Sequence, residues 1–269
     1  MNKYTIIPSK KEDIDIILKK DIKSIIIGVK GLSIYPFELD IDDIILLSEN
    51  TSKEIIIAMN KMIHNKDLDL VREVLKKVKN TKIHGIMFYD LGIFNICKNI
   101  NINKELIINQ EHLNASISSN NFYYKQGIKN SFITSDITCN EINEIKSSTN
   151  MNIYYTVYGY LPIFYSRRYL LTNYFKYINT PMKDNTYYIF NDDLKYMIKE
   201  YSYGTIIYSP LIILINNIDK INNNINLVID LSYTEDISII DKFINNEKKD
   251  NTYTGFFDKQ TIYKLKEEK

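Results

Sequence analysis

Residues 24–60 read SIIIGVKGLSIYPFELDIDDIILLSENTSKEIIIAMN. Two β-branched apolar runs, Ser24 to Val29 and Glu54 to Asn60, enclose a stretch in which Ile41, Ile44 and Ile45 recur at helical spacing. Strand, helix and strand in this order form a βαβ unit, whose strands lie parallel in one sheet. The runs are continuous isoleucine and valine rather than alternating apolar and polar, the pattern of strands buried on both faces.

Working outward, the same unit repeats. Strand-like runs fall at Tyr4 to Pro8, His84 to Tyr89, Glu105 to Asn109, Ser131 to Ser135 and Asn152 to Tyr158. Helical rows lie between them, for example Ile14, Ile17 and Leu18; Leu68, Val71, Val74, Leu75 and Val78; Ile142 and Ile145. An eighth run, Asn226 to Leu231, precedes a helix around Ile237 to Ile244. Eight such units predict a (β/α)8 TIM-barrel-like α/β fold, and 269 residues match the roughly 250 typical of that barrel.

The spacing fails from Gly159 to Asn224, where Tyr160 to Tyr177, Tyr187 to Phe190, Tyr196 to Tyr201 and Thr205 to Tyr208 read as a β-rich insertion between the seventh and eighth strands. We expect a hairpin or three strands there. The row Leu211, Leu214, Ile215, Ile218 and Ile221 predicts a helix leading into the eighth strand. The domain reading is a single barrel over residues 1–250, insertion 159–224 included. An apolar C-terminal segment, 251–269, is expected to pack on the barrel in extended form.

Composition assigns no partner. Thirty-four Lys and Arg against 33 Asp and Glu, net charge +1, remove the basic excess that would point to nucleic acid or a membrane surface. Apolar runs are far shorter than the roughly 20 residues that span a bilayer, and the start, Met1 to Pro8, has no leader pattern. Two cysteines, Cys97 and Cys139, are too few for a disulfide framework or a four-thiolate site. A reducing cytoplasm fits this usage.

In a barrel the working groups sit at the C-terminal ends of the strands and in the loops that follow. Those positions hold Lys30 and Glu38, Asn60 and Lys61, Tyr89 and Asp90, Glu111 and His112, Ser135 and Asp136, Tyr158 through Arg168, and Asp230. Arg167-Arg168 stands out because Arg72 is the only other arginine, and a guanidinium fork suits carboxylate or phosphate. Pairing inside the insertion is an equal reading of that pair. Glu111-His112 offers a base and a proton carrier; a helix-entry turn capped by Asn114 is the competing reading. His64 and His84 carry less signal. Glu38, Asp90, Asp136 and Asp230 are four rim carboxylates, which leaves a divalent metal open, although no metal-binding spacing is present. Cys139 opens a helix, whose N-terminus would lower a thiol pKa. No serine has a nucleophile-elbow context.

Several small motifs, in order, resemble the U-thirty-two peptidase family, also called collagenase-like proteases. They include Pro8, Gly28, Asn60, Asp90-Leu91-Gly92, the turn from Glu111 to Gly127, Thr134-Ser135-Asp136, Gly159-Tyr160-Leu161-Pro162 with Ser166-Arg167-Arg168, and Thr254-Gly255-Phe256. The resemblance implies a barrel and a peptidase-like hydrolase acting on peptide or protein in a polar cleft at the barrel mouth. Glu38, Asp90, Glu111 and His112 would be the catalytic candidates, with Asn60, Asp136, Tyr158, Arg167 and Arg168 binding substrate. Branches of the family that hydroxylate RNA or ubiquinone intermediates hold an iron–sulfur cluster on four cysteines. Tyr165 stands here where one of those cysteines is expected. With only two cysteines in the chain, that departure implies no cluster, and no cofactor is expected beyond the divalent metal left open above. Its alternative is a non-catalytic or accessory binding protein related to those branches, the one reading under which nucleic acid is a partner.

Overall fold

The structure is a computed structural model that describes residues 3–110, 113–234, 236–249 and 253–260. Its first half runs β1 (Tyr4–Ile7), α1 (Ile14–Leu18), β2 (Ser24–Val29), β3 (Glu38–Leu39), α2 (Ile41–Glu49), β4 (Glu54–Met59), α3 (Leu68–Val78), β5 (Gly85–Phe88), α4 (Leu91–Asn99), β6 (Glu105–Ile108) and α5 (Ile117–Gln126). Then follow β7 (Asn130–Phe132), α6 (Cys139–Ser147), β8 (Asn152–Gly159), β9 (Pro162–Ser166), α7 (Leu170–Tyr177), β10 (Thr186–Asn191), β11 (Leu194–Tyr201), β12 (Gly204–Tyr208), β13 (Ile213–Leu214), β14 (Asn226–Asp230) and α8 (Ile239–Ile244).

Parallel pairing runs β1-β2-β4-β5-β6-β7-β8-β14 and returns to β1, where Thr5 lies opposite Ser24 and Ile6 opposite Ile229. The eight-stranded barrel is therefore closed, as the repeated βα units predict. Strand alternation divides the core. Ile26, Ile56, Met87, Ile107 and Val228 fill the interior, and Phe132 stacks on Tyr154 there with centroids 5.2 Å apart. Ile25, Ile57, Phe88, Tyr155 and Ile229 face outward to the helices. Helix ends follow local chemistry: Thr138 and Glu141 form a reciprocal capping box at the start of α6, and Gly127 in the left-handed region ends α5.

The insertion is larger than expected. β10, β11, β12 and β9 form a four-stranded antiparallel sheet, with α7 on one face. Glu200 fixes that helix: its carboxylate accepts the N–H groups of Leu171 and Thr172 at 2.9 and 3.1 Å. The opposite face lies over the barrel mouth, where Ile206 and Tyr208 pack against Ile34.

The helix expected over 211–221 is not formed. Ile213, Leu214 and Ile215 are buried in succession, as in a strand, and β13 pairs antiparallel with Gly159 and Tyr158. The Leu214 N–H donates to Tyr253 O and that of Ile215 to Val157 O, so neighbours claim the bonds a helix would need; only a turn of 3₁₀-helix remains at Ile218–Lys220. Among the described residues no helix is long and apolar enough to cross a membrane.

Candidate functional site

At the C-terminal mouth of the barrel, alternation carries Asn60, Asn109, Thr134, Thr156 and Asp230 inward. The loop 31–35 and the insertion close over them, leaving two small cavities of about 50 and 30 Å³ that share Thr156, Leu161 and Pro162. Asp230 lines the smaller one beneath Tyr208 and Tyr233. Burial pushes its carboxyl up to about 6, even though its Oδ1 accepts the Ser232 N–H at 2.8 Å. Above it the hydroxyls of Tyr201, Tyr208 and Tyr233 are mutually hydrogen-bonded, Tyr208 lying 3.0 and 2.8 Å from the other two. The mouth is a tightly filled, phenol-rich plug.

Open space lies beside it. A cleft of about 370 Å³ runs between the loop after β2, the loop after β4 and the insertion, lined among others by Glu38, Lys61, His64, Lys66, Arg167 and Tyr203. In the first loop Gly31, at φ +78°, turns the backbone so that the N–H groups of Gly31 and Ser33 both reach the Glu38 carboxylate, at 3.2 and 3.3 Å. Burial raises the Glu38 pKa, opposed by those two hydrogen bonds and then by Lys61 and Lys30.

In the second loop Asp67 accepts the His64 N–H at 3.0 Å and pairs with Lys61 Nζ at 3.4 Å. From the insertion, Arg167 Nε donates to His64 Nε2 at 2.9 Å, and a second guanidinium nitrogen contacts Nδ1. Burial first, then the Arg167 charge, lower the His64 pKa, so the imidazole is neutral at pH 7. With Nε2 accepting from Arg167, the neutral ring has no free acceptor nitrogen with which to activate a nucleophile. Lys61, Lys66 and Arg167 against Glu38 and Asp67 leave the lining with three positive and two negative charges, a net of +1. Two tyrosines complete it: Tyr169, whose hydroxyl donates to Ser202 O at 2.7 Å, and Tyr203, stacked on Tyr201 at 4.9 Å.

Of the residues singled out in the sequence, the cleft brings together Glu38 and Arg167, with Lys61. The others go elsewhere. Arg168 is exposed at its margin and contributes backbone, its carbonyl accepting from Thr205 Oγ1 at 2.8 Å. Asp136 lines the mouth. Asp90 caps α4, its Oδ1 accepting the Gly92 N–H at 2.7 Å. Tyr158 turns away from the mouth, because a register shift between Val228 and Ile229 rotates this end of β8, and it lines an outer cavity beside Leu214 and Ile239. Glu111 and His112 lie outside the described residues. Sequence reasoning passed over Lys66, Asp67, Tyr169 and Tyr203 and gave His64 little weight, though the polar run after the third barrel strand was a usable signal.

Asn60 is an architect of the cleft. Fully buried, its Oδ1 accepts Ser33 Oγ at 2.8 Å and the Ile34 N–H at 3.1 Å, fixing the first loop to β4. Asn60→Ala orphans a buried backbone donor, and chemical denaturation should show a loss of about 2 kcal/mol.

The thiols occupy separate helices. Cys97 is buried on α4, where burial pushes its pKa up to about 12, and burial also raises that of Cys139, overriding the expected helix-terminus effect. Two thiols so placed do not fit a four-thiolate iron–sulfur cluster. Among the described residues no group of three or more His, Cys, Asp or Glu could hold a metal ion.

The family model of peptidase family U32 matches residues 11–183, more than half of the chain. A tRNA hydroxylation protein P2 of Bacillus subtilis (strain 168) is 24% identical over 179 residues, 64% of this chain and 58% of that protein. A tRNA hydroxylation protein P1 of the same organism is 23% identical over 120 residues, 45% of this chain and 28% of that protein. The chain thus spans less than two thirds of the length of either. A candidate lyase/mutase of Burkholderia cenocepacia J2315 superposes with a TM-score of 0.42 at 10% identity, over 58% of this chain and 67% of its own.

Proposed function

The chain belongs to peptidase family U32, and from that premise we propose that it works as an RNA-binding accessory protein of the tRNA hydroxylation kind rather than as a peptidase. The observation that carries this reading is the cleft lining. Two exposed cations from two elements, Lys66 and Arg167, with buried Lys61 behind them and the exposed ring of Tyr169 alongside, suit phosphates and an unstacked base. Net charge argues little either way, because binding follows the local field and not the total. A peptidase would need an activated nucleophile or a bound water, and the histidine in the cleft is occupied by Arg167. The two similar Bacillus subtilis proteins bear the name of tRNA hydroxylation, which supports RNA over peptide as the ligand. The reading assigns this chain the binding step, not oxidation.

Fluorescence anisotropy with an unmodified tRNA transcript at several salt concentrations tests it. Wild-type protein should bind with an affinity that falls as salt rises. Arg167→Ala should weaken binding and flatten the log–log salt slope by about 0.7 to 1, the share of one lost phosphate contact. Binding indifferent to both salt and Arg167→Ala, or peptide cleavage by the wild type that Arg167→Ala removes, would overturn the reading.

A further inference from the structure

We propose that the turn Gly31–Ser33 is the seat of an RNA phosphate, and that Glu38 is its intramolecular occupant, a carboxylate that the incoming phosphodiester displaces. This rests on the RNA-binding reading and specifies where in the cleft the backbone of the ligand docks.

Two converging backbone N–H groups form an anion-binding concavity, the arrangement by which turns hold phosphate without a side chain. Here the concavity already holds an anion, and holds it loosely. The two bonds to Glu38 measure 3.2 and 3.3 Å, well beyond the roughly 2.7–2.9 Å of strong charge-assisted contacts. The carboxylate is also half-buried, and its desolvation is the largest influence on its titration. An internal anion in a poorly fitted seat gains little from staying there.

Its tether is short. β3 has only two residues, Glu38 and Leu39, paired with Gly28 and Val29 of β2. The Glu38 side chain can therefore swing out without disturbing the barrel. The seat itself stays in place, because Asn60 clamps the Ser33 hydroxyl and the Ile34 amide. Cations surround it: Lys30 and Lys61 act on Glu38 directly, and Arg167 lies across the same cleft. Removing the Glu38 charge takes the lining from +1 to +2, at the point where a phosphate would sit. Gly31 is needed for conformation and not for space, since an added Cβ would meet only Leu70 Cδ2, at 3.6 Å.

The test uses the full chain with two probes, an unmodified tRNA transcript and inorganic phosphate. Glu38→Gln removes the charge and Glu38→Ala empties the seat. Each should bind the transcript about tenfold more tightly than wild type, the worth of one repulsive charge near a phosphate. In NMR titrations phosphate should shift the Gly31 and Ser33 amides, at lower concentration in Glu38→Ala than in wild type. If the transcript binds but both variants bind it no more tightly, and phosphate leaves those amides unmoved, Glu38 is not a displaced occupant. If no protein binds the transcript, yet phosphate shifts the two amides and does so more readily in Glu38→Ala, the seat stands and the RNA reading falls.

Discussion

Gly204→Val should strip the insertion sheet from the cleft and take RNA binding with it. Gly204 begins β12 at φ +140°, in a region L side chains rarely adopt. A Cβ there would sit 2.1 Å from Ser166 O and 2.8 Å from Arg167 Cα. Both obstacles are backbone, so no rotamer change relieves them. The neighbouring pairs Thr205–Ser166, Ile206–Tyr165 and Ile207–Phe164 hold β12 against β9, and separating them is the remaining escape. Backbone strain alone costs about 1–3 kcal/mol, and the lost ladder adds to it.

The loss should be local, because the barrel core lies in a different layer from this sheet. Limited proteolysis should cut Gly204→Val between residues 160 and 208 while the barrel resists. RNA affinity should drop at least to that of Arg167→Ala, since Arg167 follows directly on the displaced strand. A protease-resistant variant with wild-type affinity would mean that β9 does not position Arg167.

The fold was legible where burial on both faces leaves a continuous apolar run. Ser24–Val29 and Glu54–Met59 announce themselves because each side of the strand meets either the packed interior or a helix. The insertion was less legible because its partners are distant. β9 pairs with β12, some forty residues later, with α7 and two strands between them, and no local pattern records such a pairing. At 211–221 the apolar spacing fitted a helix, but burial of Ile213 beside Leu214 and Ile215 is a tertiary fact. Helix-like periodicity lost there to hydrogen bonds supplied by Tyr158, Gly159 and Tyr253.

The site divides in the same way. Glu38 and Arg167 were recognisable as charged residues in loops after barrel strands, where the fold puts chemistry. Tyr158 also follows that rule, yet one irregular register between Val228 and Ile229 turns it outward. Asp90 reads equally as a rim acid and as an N-cap, and the Gly92 amide two residues on decides for the cap. Tyr203 enters the cleft only because the β11–β12 turn folds back over the barrel, its hydroxyl reaching Ile34 O at 3.1 Å. Its proximity is a consequence of topology, not of spacing.

Phe257→Ala should be the costliest single truncation in the segment that closes the barrel's outer layer. β8 leads into the insertion rather than into a covering helix, so the outer side of Tyr155 needs another lid. Phe257 supplies it, 1% exposed, with ring centroids 6.3 Å from Tyr155. Its backbone fixes the placement: Phe257 O accepts the Cys139 N–H of α6 at 3.0 Å, and Tyr253 O accepts that of Leu214 at 2.8 Å. Residues 253–260 are turns rather than the extended segment expected over 251–269, whose residues 251–252 and 261–269 lie outside the described residues. Emptying such a site costs about 3–5 kcal/mol. For a chain of this length that lowers the melting temperature by roughly 10 °C. Phe256→Ala is the internal control, since Phe256 is 48% exposed and surface changes stay within about 0.5 kcal/mol. If thermal unfolding shows equal losses for the two variants, the segment does not stand in for the missing helix; if Phe257→Ala alone melts early, residues 253–257 are a structural part of the barrel wall.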